Sequence, residues 1–179
     1  DPREAFFYAA HYLFGSADNL TTTQIDQIEL LLRNQKQWVE AYTNDKMAYM
    51  LEAGILPLVI TPAANFLKTL PLDGDYGFYV PLSGNLFVIE TVAIPALSKK
   101  TEAAHACINF LISKDSALAG SKKYCYNPVI SAVYAELEPE IAERLQAFAS
   151  PERIAGMYLL RNDISLKRLE TLWISVKSA

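Results

Sequence analysis

The chain is predicted to fold as an α/β sandwich, a small mixed sheet flanked by helices. Three observations lead there. Helix-period stretches alternate with short runs of β-branched and aromatic residues through the first half. After Thr101 the pattern is almost entirely helical. The length of 179 residues suits one domain with a sizeable core. Helices interleaved with strands in this way pack as layers on a sheet.

Glu4 to Phe14 reads as a helix, with Phe6, Phe7, Ala10, His11, Leu13 and Phe14 at helical spacing and Gly15 as its stop. Thr22 to about Tyr42 reads as a second helix. Ile25, Ile28, Leu31 and Leu32 form its apolar stripe, and Thr21 with Gln24 makes a capping box. Asn44-Asp45 caps a short third helix that ends at Gly54. Ile55 to Ile60 reads as a short buried strand. Thr61-Pro62 supplies an N-cap and a first-turn proline for a helix from Ala63 to Leu70. Asp73 to Gly77 is a turn, Phe78 to Pro81 is strand-like, and Leu82 to Asn85 is another turn. Leu86 to Ile94 is the strongest strand signal. Helices then follow over about 101–113, 115–123, 130–136, 138–148 and 163–178. There is no internal repeat and no low-complexity segment.

Half of the chain, 51%, is apolar and 20% is charged, an ordinary globular composition. The net charge of −4 argues against nucleic acid as the main partner and is compatible with a cationic ligand. The most apolar short run, Ile55 to Ile60, is broken by Pro57 and is far too short to span a membrane. No signal-peptide pattern is present, and the opening on Asp1 without Met implies a processed product or an excised piece. Cys107 and Cys125 allow at most one disulfide and lie in no CxxC pattern.

Glu90 is the residue that draws most attention. It sits in the middle of Leu86-Phe-Val-Ile-Glu-Thr-Val-Ala-Ile-Pro95, and a carboxylate in a buried strand is costly without a cationic partner. Alternation along the strand points it either to solvent or to a ligand. Asp1 and Glu4 have two readings as well. Asp-Pro-x-Glu is a helix start that needs no ligand, and contact with a ligand is the other reading. Thr61 is an N-cap whose helix could present N–H groups to an anion. Arg161 is either a solvated charge paired with Asp163 or a cation that repels cationic ligands.

An enzyme or metal reading finds little. His105 and Cys107 are two residues apart and so face different sides of a helix. There is no G-x-S-x-G, H-E-x-x-H or P-loop, and no cofactor motif. The expectation is a chain that is not an enzyme and carries no metal or cofactor. Tyr76, Phe78 and Val80 alternate, giving one apolar face for core packing or for stacking at a cleft edge.

Four stretches carry a family resemblance: the opening Asp1-Pro-Arg-Glu-Ala-Phe6, then Phe87-Val-Ile-Glu-Thr-Val-Ala-Ile-Pro95, Ile108-Asn-Phe-Leu-Ile-Ser-Lys-Asp115 and Tyr126-Asn-Pro128. They resemble the extracellular solute-binding proteins of ABC transporters, specifically the spermidine/putrescine-binding group. Asn162-Asp163 and the final helix match that group's C-terminal segment more loosely. The resemblance implies a type II periplasmic-binding-protein-like lobe. Residues 1–89 with 139–179 would form the second lobe, and 90–138 would be a crossover segment packed on a first lobe outside this chain. It implies a polyamine-like solute, an ABC permease as membrane partner, and a location in the periplasm or at the extracellular face. Asp1, Glu4 and Glu90 would hold the solute's ammonium groups. Thr61 and Val88 stand where the group has aromatics, and Arg161 where it has a polar amide. A different small solute, or an interaction module that no longer binds solute, are the alternatives. Apolar surface over 93–135, including Ile108, Phe110, Leu111 and Ile112, leads to the further expectation that this chain self-associates.

Overall fold

The computed structural model describes residues 1–43, 46–69, 76–81, 84–159 and 164–179, apart from the side chains of residues 48 and 69. In chain order they form α1 (Pro2–Phe14), α2 (Thr22–Gln35), α3 (Met47–Glu52), α4 (Ala63–Thr69), β1 (Leu86–Phe87), α5 (Thr101–Leu111), α6 (Lys114–Tyr124), α7 (Pro139–Phe148), α8 (Pro151–Ala155), β2 (Tyr158–Leu159) and α9 (Leu166–Lys177). Short 3-10 turns occupy Lys36–Trp38 and Ser131–Glu136. The fold is therefore mostly helical with a small β component. β1 and β2 pair in parallel, with Leu86 opposite Tyr158 and Phe87 opposite Leu159.

Two compact units divide the chain. One comprises Asp1–Tyr42, Leu86–Val88 and Tyr158–Ala179, and the other Thr43–Asn85 and Ile89–Met157. The chain thus passes between units at 42/43, 85/86, 88/89 and 157/158. This partition does not coincide with the expected separation of 90–138. Val133 and Leu137 of that segment share a core with Leu51, Phe66, Leu67 and Leu145.

The first unit is built on three helices. Asp1 caps α1 by accepting from the Arg3 N–H, and Gly15 ends it in the left-handed region at φ 71°. Thr21 and Gln24 form the expected capping box on α2. That helix stops at Gln35 rather than near Tyr42, because its buried stripe ends at Leu32 and Arg33, Asn34 and Gln35 are exposed. On α9, Leu169, Leu172 and Val176 are buried at helical spacing. They pack with Phe6, Phe7, Ala10, Ile28 and Leu32. Each fully buried aliphatic here contributes about 1.5–3 kcal/mol. Arg168 pairs with Asp26 at 2.6 Å and the Ser175 hydroxyl donates to Glu29 at 2.6 Å, so polar contacts tie α9 to α2 beside the core.

In the second unit the core joins α3, α4, α7 and the Ser131–Glu136 turn. Phe78 meets Phe66 at a tilt with ring centroids 5.0 Å apart, and Phe148 edge-to-face at 4.7 Å. The Tyr76 hydroxyl donates to the Leu51 carbonyl. Tyr76, Phe78 and Val80 are half-buried while Gly77, Tyr79 and Pro81 are exposed, so the alternation holds and serves the core. Lys114 pairs with Glu136, and Lys122 with Glu138 at 2.8 Å.

Several local expectations are corrected. Ile55 to Ile60 forms no strand: Ile55, Leu58 and Ile60 are exposed, and Pro57 removes a ladder donor. Phe78 to Pro81 joins no ladder among the described residues. Among the described residues, the strand expected over Leu86 to Ile94 is paired at Leu86 and Phe87, opposite Tyr158 and Leu159. Val88, Ile89 and Val92 beyond it are exposed. The sheet is parallel rather than mixed. Pro62, whose carbonyl accepts from the Asn65 and Phe66 N–H groups, takes the cap position of α4 that Thr61 was expected to fill. The expected cap at Asn44-Asp45 and the turn residues 71–75, 82 and 83 lie outside the described residues.

Candidate functional site

A cluster of polar and aromatic side chains lies along one face of α1. Glu4, Tyr8 and His11 are spaced i, i+4 and i+7, which stacks them over two turns. β1 and β2 border that face. The Tyr8 phenol pKa is raised by burial; a hydrogen bond to the Leu86 backbone opposes the shift, and the Glu4 charge adds to it. The His11 ring lies 4.3 Å from Phe7 and 4.1 Å from Tyr158, centroid to centroid, at tilts of 40° and 43°. Phe7 also meets Tyr158 at 6.2 Å. Burial pushes the His11 imidazole below its usual range, with the Asp18 charge pulling the other way. A lowered value leaves it neutral at pH 7. Glu4 is half-buried and has no ion pair among the described residues.

This arrangement has defined chemistry. A carboxylate without a cationic partner, bordered by Tyr8 and a neutral aromatic stack, favours a positively charged organic group. Aromatic faces take both the methylenes and the charge of such a ligand.

The residues singled out in the sequence fare differently. Asp1 is committed to its cap: its Oδ1 accepts from the Arg3 backbone N–H at 2.8 Å, and its Oδ2 pairs with Arg3 Nη2 at 2.7 Å. Glu4 lies in the first turn of the same helix, and its carboxylate has no ion pair among the described residues. Thr61 belongs to the second unit, where its hydroxyl donates to the Pro62 carbonyl at 3.3 Å. Glu90 also belongs to the second unit and is exposed beyond the end of β1, so the premise of a carboxylate inside a buried strand does not hold. Arg161 lies outside the described residues. His105 and Cys107 are exposed, Cys125 is half-buried, and both cysteines are free. Among the described residues no three His, Cys, Asp or Glu side chains gather as a metal-holding group. Among the described residues no helix is long and apolar enough to cross a membrane.

Sequence reading did not bring together Tyr8, His11 and Tyr158. The spacing of Glu4, Tyr8 and His11 was legible as one helix face. Tyr158 was not, because its position depends on the pairing of β2 with β1.

No family model matches the chain. Comparisons with curated proteins and with solved structures likewise give no match.

Proposed function

We propose that the chain is a solute-binding lobe, of the type II binding-protein kind, that takes a small organic cation at the α1 face. Glu4 is the counter-ion, and Tyr8 with the Phe7–His11–Tyr158 stack is the aromatic wall. The observation that carries this reading is the half-buried Glu4 carboxylate, without an ion pair among the described residues, one turn from Tyr8 and two from His11. On this reading Asp1 orders the helix start instead of touching solute, because Arg3 already occupies its carboxylate. The resemblance to polyamine-binding proteins supports transport through an ABC permease.

Calorimetry with putrescine and spermidine tests the proposal. Glu4→Gln is expected to weaken binding by about 1.5–3 kcal/mol, the range for a hydrogen bond to a charged group. Equal affinity in the parent chain and the variant, or no binding of either amine, would overturn it.

A second reading, an interaction module, has its own observation. No residue of α5 is buried, and Phe110 is 68% exposed beside exposed Leu111 and Ile112. Contiguous apolar surface of this sort tends to find a partner. The occupant proposed is a second copy of the chain, in place of the first lobe that the resemblance puts against this segment. Sedimentation should then show a mass that rises with concentration and returns to monomer in Phe110→Ser. A monomer at every concentration argues against this reading and leaves the α1 site untouched.

A further inference from the structure

We propose that the second unit carries a separate binding site for a planar aromatic anion, at the C-terminal end of α6. The site is a tyrosine pair flanked by two lysines. Tyr124 and Tyr126 stack with centroids 5.9 Å apart and planes 25° from parallel. They are 40% and 52% exposed, so the pair is open to solvent. Lys68, from α4, holds its Nζ 5.4 Å from the Tyr124 centroid, and Lys123 holds its Nζ at 5.3 Å.

Neither lysine has a carboxylate partner among the described residues. Neighbouring Lys122 does, since it is taken up by Glu138 at 2.8 Å. The end of α6 thus separates one neutralised lysine from two that converge on a single ring. Two ammonium groups drawn to one ring repel each other, and a bound anion relieves that repulsion. The last turn of a helix attracts cations to its carbonyls, which helps to hold Lys123 there.

The backbone is shaped to present the pair. Cys125, between the two tyrosines, takes the left-handed conformation at φ 56° and ψ 33°. That conformation is disfavoured for a residue with a Cβ. Here it ends α6 and turns the chain so that two neighbouring rings stack instead of pointing apart. Asn127 adds a polar edge: its Oδ1 accepts from the Tyr134 hydroxyl at 2.8 Å, which leaves its amide N–H groups to donate.

An exposed stacking platform takes a planar ring, and the paired lysines take a negative group attached to it. The ligand class is therefore one aromatic ring system bearing one anionic group, either a phosphate as in a nucleotide or a carboxylate. This site is independent of the α1 face, which favours cations and belongs to the other unit.

Calorimetry on the full chain at low salt tests the proposal with four probes: adenosine 5′-monophosphate, benzoate, adenosine and inorganic phosphate. At least one of the first two is expected to bind saturably, and adenosine and phosphate about tenfold more weakly, since each lacks half of the recognition. Preference for the nucleotide assigns a phosphate ligand, and preference for benzoate a carboxylate. Tyr126→Ala should weaken binding about tenfold while Tyr126→Phe retains it, which separates stacking from loss of fold. Lys68→Gln with Lys123→Gln should weaken binding by a similar factor, about tenfold, and flatten its salt dependence. The proposal is overturned if neither aromatic anion titrates, if both sets of variants bind as the parent does, or if phosphate alone binds as tightly as the nucleotide.

Discussion

α1 and α5 are similar helices on paper and opposite in fate. Both are short, alanine-rich and studded with large apolar residues. α1 buries Phe6, Phe7, Ala9 and Ala10, whereas α5 buries nothing. α1 starts on a side-chain cap from Asp1 and stops on a left-handed glycine. α5 starts at Lys100 with no side-chain cap and runs into exposed Phe110, Leu111 and Ile112. The difference lies in what each helix meets. α1 has α2 and α9 on its apolar side. Apolar content drives burial only where a partner surface is available, since the gain follows area removed from water.

The largest test of this contrast is in the cores. Ile28 is fully buried against α1 and α9, and Ile28→Ala should cost about 2–5 kcal/mol in chemical denaturation. Phe110→Ala in α5 removes a larger side chain but should change stability by no more than about 0.5 kcal/mol. A cost at Phe110 matching that at Ile28 would mean that α5 is packed in solution.

Helix ends give the next test. Gly15 has open space where a Cβ would project, so the strain of Gly15→Ala comes from its φ of +71° alone. The expected loss is about 1 kcal/mol. Lys100→Asp would give α5 the cap it lacks and should raise its stability by about 0.5–1 kcal/mol. Hydrogen exchange of the α5 amides reads this directly: protection should increase in Lys100→Asp and fall at the end of α1 in Gly15→Ala.

The smallest effect is the pH dependence from His11. Its folded pKa lies below the unfolded value of about 6.5, because burial disfavours the imidazolium. The unfolded chain therefore takes up the proton first as pH falls. Stability is at its full value above pH 6.5 and is lost as pH falls through the depressed folded value. His11→Phe keeps the ring stack and should remove this part of the acid dependence. An unchanged stability profile between pH 7 and 5 would mean that His11 is solvated.

Much of the helical framework was legible before the structure. The cap at Asp1, the stop at Gly15, the Thr21–Gln24 capping box and the apolar stripes of α1 and α2 all appear where the residues put them. Each depends on residues close in sequence: the two N-caps satisfy N–H groups within three residues, Gly15 takes a left-handed turn, and the stripes follow helical spacing. Glu4 as an uncommitted carboxylate was half legible, because the same Asp-Pro-x-Glu pattern serves capping and ligand binding. Of the β elements, β1 begins at Leu86 where a strand was expected, but its extent and its partner were not legible. Ile55 to Ile60 and Leu86 to Ile94 have the composition of strands, yet strand propensity describes a fit to a neighbouring strand and not a preference of the chain.

By itself, then, the sequence determined where most helices start and stop and which faces are apolar. Those features depend on interactions within a few residues. Tertiary structure alone decided that β1 meets β2 for two residues, that Glu90 is exposed, and that Tyr158 comes to lie against His11. It also decided that Lys68 reaches Tyr124 from a different helix. In each case the outcome depends on which distant segment is in position, and hydrophobic burial and strand pairing carry no address in the local sequence.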